Sequence, residues 1–154
     1  MDSRIQIYVD ASCDEVHQCA GVGIVFAGSD GARYMDVSRP IGYCRIEQAE
    51  AKAIMAAMIV ARDLHIAEYT LHCDSQSTVA RIGDTTDVVD SEFGYLCLAI
   101  RREVARAGAT IHWFSREHNA DADELAWAAA NGWSHFGSPW RERIQQHERS
   151  PHTG

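Results

Sequence analysis

Lysine is almost missing from this chain: of 14 basic residues in 154, only Lys52 is a lysine, and 22 acids leave a net charge of −8. Phosphate binding normally leaves a basic footprint, so this balance counts weakly against a nucleic-acid partner, although arginine makes better bidentate phosphate contacts than lysine does. No apolar run approaches the roughly 20 residues of a membrane span, and the opening MDSRIQIYVD is too polar for a signal peptide. A cytoplasmic protein with no membrane partner is therefore expected. Five cysteines (Cys13, Cys19, Cys44, Cys73, Cys97) form no CxxC pair and are odd in number, which fits neither a zinc knuckle nor a disulfide framework. Cys73 and Cys97 lie in apolar segments and read as small core residues. The eight histidines are scattered without a metal-ligand rhythm, and internal repeats and low-complexity tracts are absent.

What is present is a chain of single-domain length with an ordinary 46% of hydrophobic residues. Arg4–Asp10 alternates Ile5, Ile7 and Val9 with Gln6, Tyr8 and Asp10, the period of a strand. Ala20–Ala27 and Ala32–Ser38 read as two more strands, joined by a turn at Gly28-Ser29-Asp30-Gly31. Glu47–Leu64 is rich in alanine and methionine, contains neither Gly nor Pro, and reads as a long helix with an inward stripe of Glu50, Ile54, Ala57, Ala61 and Leu64. A strand follows at Tyr69–Asp74, then helices at Ser75–Ile82 and Phe93–Ala107, a strand at Thr110–Ser115 and a helix at Ala120–Asn131. The order describes one mixed-sheet α/β domain over residues 1–134, with helices on its faces. Residues 135–154 read as a tail, with a possible short helix at Trp140–Glu148 and disorder after it.

Four carboxylates stand out: Asp10, Glu50, Asp74 and Asp123. Each has an ordinary explanation alone. Asp10 can end a strand in a turn, Glu50 can sit in water at a helix edge, Asp74 or Ser75 can cap a helix, and Asp123 can favour the dipole of a helix capped by Asn119. Jointly they are harder to dismiss. Asp10 and Asp74 are expected to leave neighbouring parallel strands at one sheet edge, where ligands bind in open α/β sheets, and two helix starts can face the same edge. Two unit charges about 4 Å apart repel by roughly 4 kcal/mol at an effective dielectric near 20. Such a cage takes up protons or hard cations, and oxygen-only ligands suit Mg²⁺ or Mn²⁺. Asp121 is a rival to Asp123, but two positions turn it about 200° around the helix, so Asp123 is preferred.

The segments IYVDAS, AGVGIVF, EQAEAKA, HCDSQSTV and REHNADADELAWAAA, in this order across about Arg4–Asn131, resemble the type 1 ribonuclease H family, and the compact reverse-transcriptase-like domains in particular. The most specific piece is Asn119-x-x-Ala122-Asp123-x-Leu125-Ala126, followed by Asp74-Ser75-Gln76. The resemblance implies a mixed five-stranded sheet, a three-stranded antiparallel meander plus two parallel strands, with helices on both faces. It implies that Asp10, Glu50, Asp74 and Asp123 hold two divalent ions, Mg²⁺ or Mn²⁺. One would activate a water and the other stabilise the leaving 3′ oxygen, cutting the RNA of an RNA–DNA hybrid to leave a 5′ phosphate. No organic cofactor is implied, and a monomer is expected.

The chain departs from the family's pattern in several places. The loop before the last helix is cut to Ser115-Arg116-Glu117-His118-Asn119, where His118 stands as a substitute for the family's product-release histidine or as a plain surface residue. The basic protrusion of the long forms is replaced by Gly83-Asp84-Thr85-Thr86-Asp87, which implies weak substrate binding. Among residues for the RNA strand, Gln76 matches and Ser12 lies beside the first aspartate, while the segments around Arg45-Ile46-Glu47-Gln48 and Cys13–His17 do not match. Arg45, Arg81, Arg101, Arg102 and Arg116 are candidates for phosphate contact, with a solvated surface role as the alternative. Trp113 and Trp127 read as core rather than as stacking platforms. Two rivals stay open: a nucleic-acid-binding module that keeps the fold without the activity, and a nuclease of this fold acting on another RNA.

Overall fold

The computed structural model describes residues 4–85, 89 and 91–139. Within them run β1 (Gln6–Asp14), β2 (Cys19–Ala27), β3 (Arg33–Pro40), α1 (Ile46–Asp63), β4 (Thr70–Cys73), α2 (Gln76–Gly83), α3 (Glu92–Ala107), β5 (Thr110–Trp113), α4 (Ala120–Ala130) and β6 (His135–Gly137). All these strands form one sheet in the order β5-β4-β1-β2-β3-β6. The meander β1-β2-β3 is antiparallel, and β4 and β5 add parallel strands beside β1. The mixed α/β class matches the expectation.

The sheet has six strands rather than five. β6 pairs antiparallel with β3, setting Val37 opposite Phe136 and Ser38 opposite His135, and it carries the sheet past residue 134. Three residues, His-Phe-Gly, are too few to show a period of two; the unpaired edge of β3 templates them. The helix expected at 140–148 lies outside the described residues. β1 also runs further than its hydrophobic alternation suggests, because β2 continues to pair with it from Asp10↔Gly23 to Asp14↔Cys19. Asp10 is thus inside a strand and not at its end.

Helices cover both faces. On one, α1 lies across β1 and β2 and packs against α3, burying Ala49, Ala53, Ile54, Ala57, Met58 and Ala61 against Ile7, Val9 and Leu71. The stripe stops a turn short of Leu64, which caps the helix and is 42% exposed. On the other, α4 lies across β1, β2 and β3. It can approach so closely because β2 carries glycines there. A Cβ on Gly23 would stand 2.1 Å from the Ala122 carbonyl oxygen, and one on Gly21 2.3 Å from the Ala130 nitrogen. The glycines of AGVGIVF therefore set how deep α4 sits, and α4 carries Asp123.

Candidate metal centre

Three acids arrive at one place from three elements. Asp10 is the first residue of β1 beyond its parallel pairing with β4, which ends at Val9↔Cys73. Asp74 is the first residue after β4, so the two carboxylates leave the sheet where the neighbouring strands part. Glu50 comes down from the second turn of α1 and is 3% exposed. A water-bathed glutamate at the helix edge is therefore not what forms. One oxygen from each of Asp10, Glu50 and Asp74 lies within 4.8 Å of the others.

The electrostatics follow from that crowding. The Asp10 carboxyl is pushed up to about 8, first by burial and then by the charge of Asp74, with Asp123 adding to the rise and the Ala11 N–H opposing it. That N–H donates to Asp10 Oδ1 at 2.9 Å. Glu50 is pushed up to about 9 by burial and by Asp10 and Asp74, and Arg116 opposes the rise. Glu50 Oε2 and Asp74 Oδ1 are buried without a hydrogen-bond partner. An unpaired buried carboxylate oxygen is costly. A hard dication would repair this, since oxygen-only donors of this kind suit Mg²⁺ or Mn²⁺. The donor set fits such an ion.

Asp123 lies outside that close group and is exposed, but it is near enough to raise Asp10. Asp121 turns the other way, with Oδ2 2.8 Å from Arg33 Nη1, and Arg33 also pairs with the buried Asp36. The structure thus separates the two aspartates of α4 as the helical angle suggests.

Asn119 does something that a capping role does not anticipate. Its side chain makes no cap bond to α4. It is 2% exposed, and Nδ2 donates to the Val9 carbonyl at 2.8 Å and to Asp74 Oδ2 at 2.9 Å. One amide therefore ties the start of α4, the middle of β1 and the end of β4 together. The signal was present in Asn119-x-x-Ala122-Asp123, where an asparagine just before a helix reads most simply as a cap. Ser75 supplies the cap of α2 instead, accepting from the Thr78 N–H, which leaves the Asp74 carboxylate for the cluster.

With this geometry in hand, a model of the family described as reverse transcriptase-like matches residues 8–129. The chain belongs to this family, among the type 1 ribonuclease H domains. RNase H1 from the halophilic archaeon Halobacterium salinarum NRC-1 superposes with a TM-score of 0.76 at 26% identity, over 84% of this chain and 99% of that one. LC11-RNase H1, isolated from compost by a metagenomic approach and solved with an RNA/DNA hybrid, gives 0.73 at 22% over 83% and 97%. The N-terminal RNase H domain of rv2228c from Mycobacterium tuberculosis gives 0.74 at 21% over 84% and 95%. No curated protein matches the chain.

The other candidate residues of this ribonuclease H domain scatter around the carboxylates. Ser12 is half-buried on β1, two residues after Asp10, and Gln76 is exposed at the first position of α2, two residues after Asp74. Arg116, in a single 3₁₀ turn at Arg116–His118, is exposed, and its charge reaches Glu50. His118 is exposed in the same turn. Arg45 is exposed at the N-cap of α1, and Arg102 is exposed on α3. The Arg81 guanidinium lies 5.3 Å from the Phe93 ring centre. Arg101 Nη1 donates to the carbonyls of Ile82 at 3.1 Å and Asp84 at 3.3 Å, closing the end of α2. Trp113 and Trp127 are 44% and 63% exposed, not core. Trp113 Nε1 donates to the Asp74 carbonyl at 3.2 Å, and Trp127 stands one turn beyond Asp123 on α4.

Proposed function

We propose that this domain is a metal-dependent endoribonuclease that cuts the RNA strand of RNA–DNA hybrids, leaving 5′ phosphates. Asp10, Glu50, Asp74 and Asp123 would together hold two Mg²⁺ or Mn²⁺ ions. The observation that carries the proposal is the convergence of three carboxylates within 4.8 Å, two of them almost fully buried and with partnerless oxygens in the group. A fold kept only for binding has no use for that arrangement, which costs stability while it lacks a cation. LC11-RNase H1 and the foamy viral protease-reverse transcriptase, both similar in fold, have been solved with RNA/DNA hybrid, which supports the substrate class.

When bound, two divalent ions supply the positive charge that makes a water acidic enough to attack a phosphodiester and that stabilises the departing oxygen. The chain's own residues do the rest. Asp10 and Glu50, fixed in a strand and a helix, give the centre a rigid floor. Asn119 holds Asp74 at a set angle by donating to its Oδ2, while Oδ1 is left without a hydrogen-bond partner. Asp123 stands at the exposed rim, where it can adjust as substrate enters. Arg116 meets the scissile phosphate from the turn before α4. Gln76 and Ser12, two residues beyond Asp74 and Asp10, address the RNA sugar edge, and Arg45 and Arg81 extend the phosphate track. The 2′-hydroxyl distinguishes RNA from DNA at such a site. The enzyme works as a cytoplasmic monomer, and no helix among the described residues is long and apolar enough to cross a membrane.

Cleavage of labelled hybrid, double-stranded RNA and duplex DNA with Mg²⁺, Mn²⁺ or EDTA tests this. Metal-dependent cutting of hybrid RNA alone is expected. Cutting of RNA without need of the DNA strand would move the substrate to another RNA, and failure to cut anything would leave a binding module.

A further inference from the structure

Parallel pairing places Tyr8, His72 and His112 in one row across β1, β4 and β5. The row lies on the face that α4 covers only as far as β1–β3, and β5 is the edge strand. The two histidines are 40 residues apart in sequence, so no spacing motif announces them. In space His72 Nδ1 and His112 Nδ1 stand 3.3 Å apart. They open onto a hollow of about 410 Å³ that Phe114 and His118 also line.

The His72 ring is held from several sides. It stacks on Tyr8 with centroids 4.8 Å apart and planes 14° from parallel, and Phe114 tilts against it at 5.4 Å. Its Nε2 is 2.6 Å from Gln6 Oε1. A carboxamide oxygen only accepts, so Nε2 carries the proton and Nδ1 presents its lone pair toward His112. Fixing the tautomer of an imidazole through its far nitrogen is how proteins prepare a histidine to bind a metal.

We infer that His72 and His112 form a second metal site, distinct from the carboxylates, that takes a transition cation such as Zn²⁺, Ni²⁺ or Cu²⁺. Two imidazole nitrogens 2.0–2.1 Å from a tetrahedral zinc stand about 3.3 Å apart, the separation already present. Without metal, the His112 Nδ1–H donates to His72. On binding, neutral His112 moves that proton to its Nε2 and both Nδ1 lone pairs go to the cation, so no net proton is lost. Water completes the shell from the hollow. Nitrogen donors select these metals over Mg²⁺, which prefers the carboxylate oxygens, so the two sites divide cations by chemistry.

The test is Zn²⁺ titration by calorimetry on the full chain in millimolar Mg²⁺, with Cu²⁺ electron paramagnetic resonance on the same protein. One equivalent of Zn²⁺ is expected, together with copper hyperfine structure from two nitrogens. His112→Gln lies on an exposed edge position, so the fold is retained. It should weaken Zn²⁺ at least tenfold and remove one nitrogen from the copper spectrum, whereas Asp10→Asn and His65→Gln should leave both readouts unchanged. Zn²⁺ affinity kept in His112→Gln, or lost in Asp10→Asn, would overturn the site.

Discussion

Asp36 and Glu50 are both buried carboxylates on neighbouring parts of one domain, and the chain treats them in opposite ways. Asp36, fully buried on β3, has its charge met by Arg33, which also holds Asp121. Glu50, on α1, faces Asp10 and Asp74, and Arg116 is the one cation whose field lowers its pKa among the main causes. The first cluster compensates its charge internally and stiffens the join between β3 and α4. The second crowds its carboxyls together, and burial with mutual charge raises Asp10 and Glu50. Two acid groups of similar burial thus differ in whether a guanidinium pairs with them directly, as Arg33 does with Asp36, or acts on them only through its field, as Arg116 does on Glu50.

The two clusters should answer substitution in opposite senses. The largest effect is expected for Asp10→Asn, which should lower hybrid cleavage at least about a thousandfold, ~4 kcal/mol of transition-state stabilisation. In EDTA the same variant should melt at the native temperature or above it, because it relieves repulsion. A drop of several degrees would mean that Asp10 has a structural partner. Arg33→Met should behave in the reverse sense, costing about 3–5 kcal/mol in urea unfolding because it strands Asp36 as a buried charge. Unchanged stability there would erase the contrast.

Asn119→Ala sits between the two. Losing a group that orients a metal ligand costs about 10–100-fold in metal affinity, so Mg²⁺ should activate the variant only at correspondingly higher concentration, with maximal rate less affected. Equal Mg²⁺ dependence would reduce Asn119 to a structural tie.

The smallest effect is a pH trend. Asp10 and Glu50 are raised from ordinary values of 3.8 and 4.5 to about 8 and 9, so between those limits the folded chain holds more protons than the unfolded one. Stability without metal therefore falls as pH rises through that window. Melting temperatures in EDTA should decline from pH 5 to 8, and Mg²⁺ should flatten the slope. A slope of the opposite sign would contradict the lifted values.

Much of this was legible because local pattern and global fold agree. The alternation of Ile5, Ile7 and Val9 and the Asp-Gly turn mark the meander, and the alanine-rich run marks α1. Asp10 ends the hydrophobic alternation of β1, Asp74 follows β4 directly and Glu50 lies early in α1, which is why the convergence of these three could be expected. The parts that escaped depend on contacts between distant residues. β1 extends through Ala11–Asp14 because β2 pairs with it, not because its own pattern continues. β6 exists because β3 offers an edge. Arg101 closes α2 through carbonyls 17 and 19 positions away in sequence, and its type alone does not distinguish that from phosphate contact. Trp127 belongs to a helix that buries Ala122, Leu125, Ala126 and Ala129; with only one face against the sheet, the large aromatic is left outside. An asparagine just before a helix reads as a cap, and only the fold shows that Asn119 turns instead to Val9 and Asp74.

The central claim is that Asp10, Glu50, Asp74 and Asp123 surround cations the chain does not itself supply. Anomalous diffraction from a crystal soaked in Mn²⁺ tests it directly. Two peaks among these carboxylates are predicted, both lost in Asp10→Asn. An empty cluster, with its carboxyl groups joined to one another by shared protons, would contradict it.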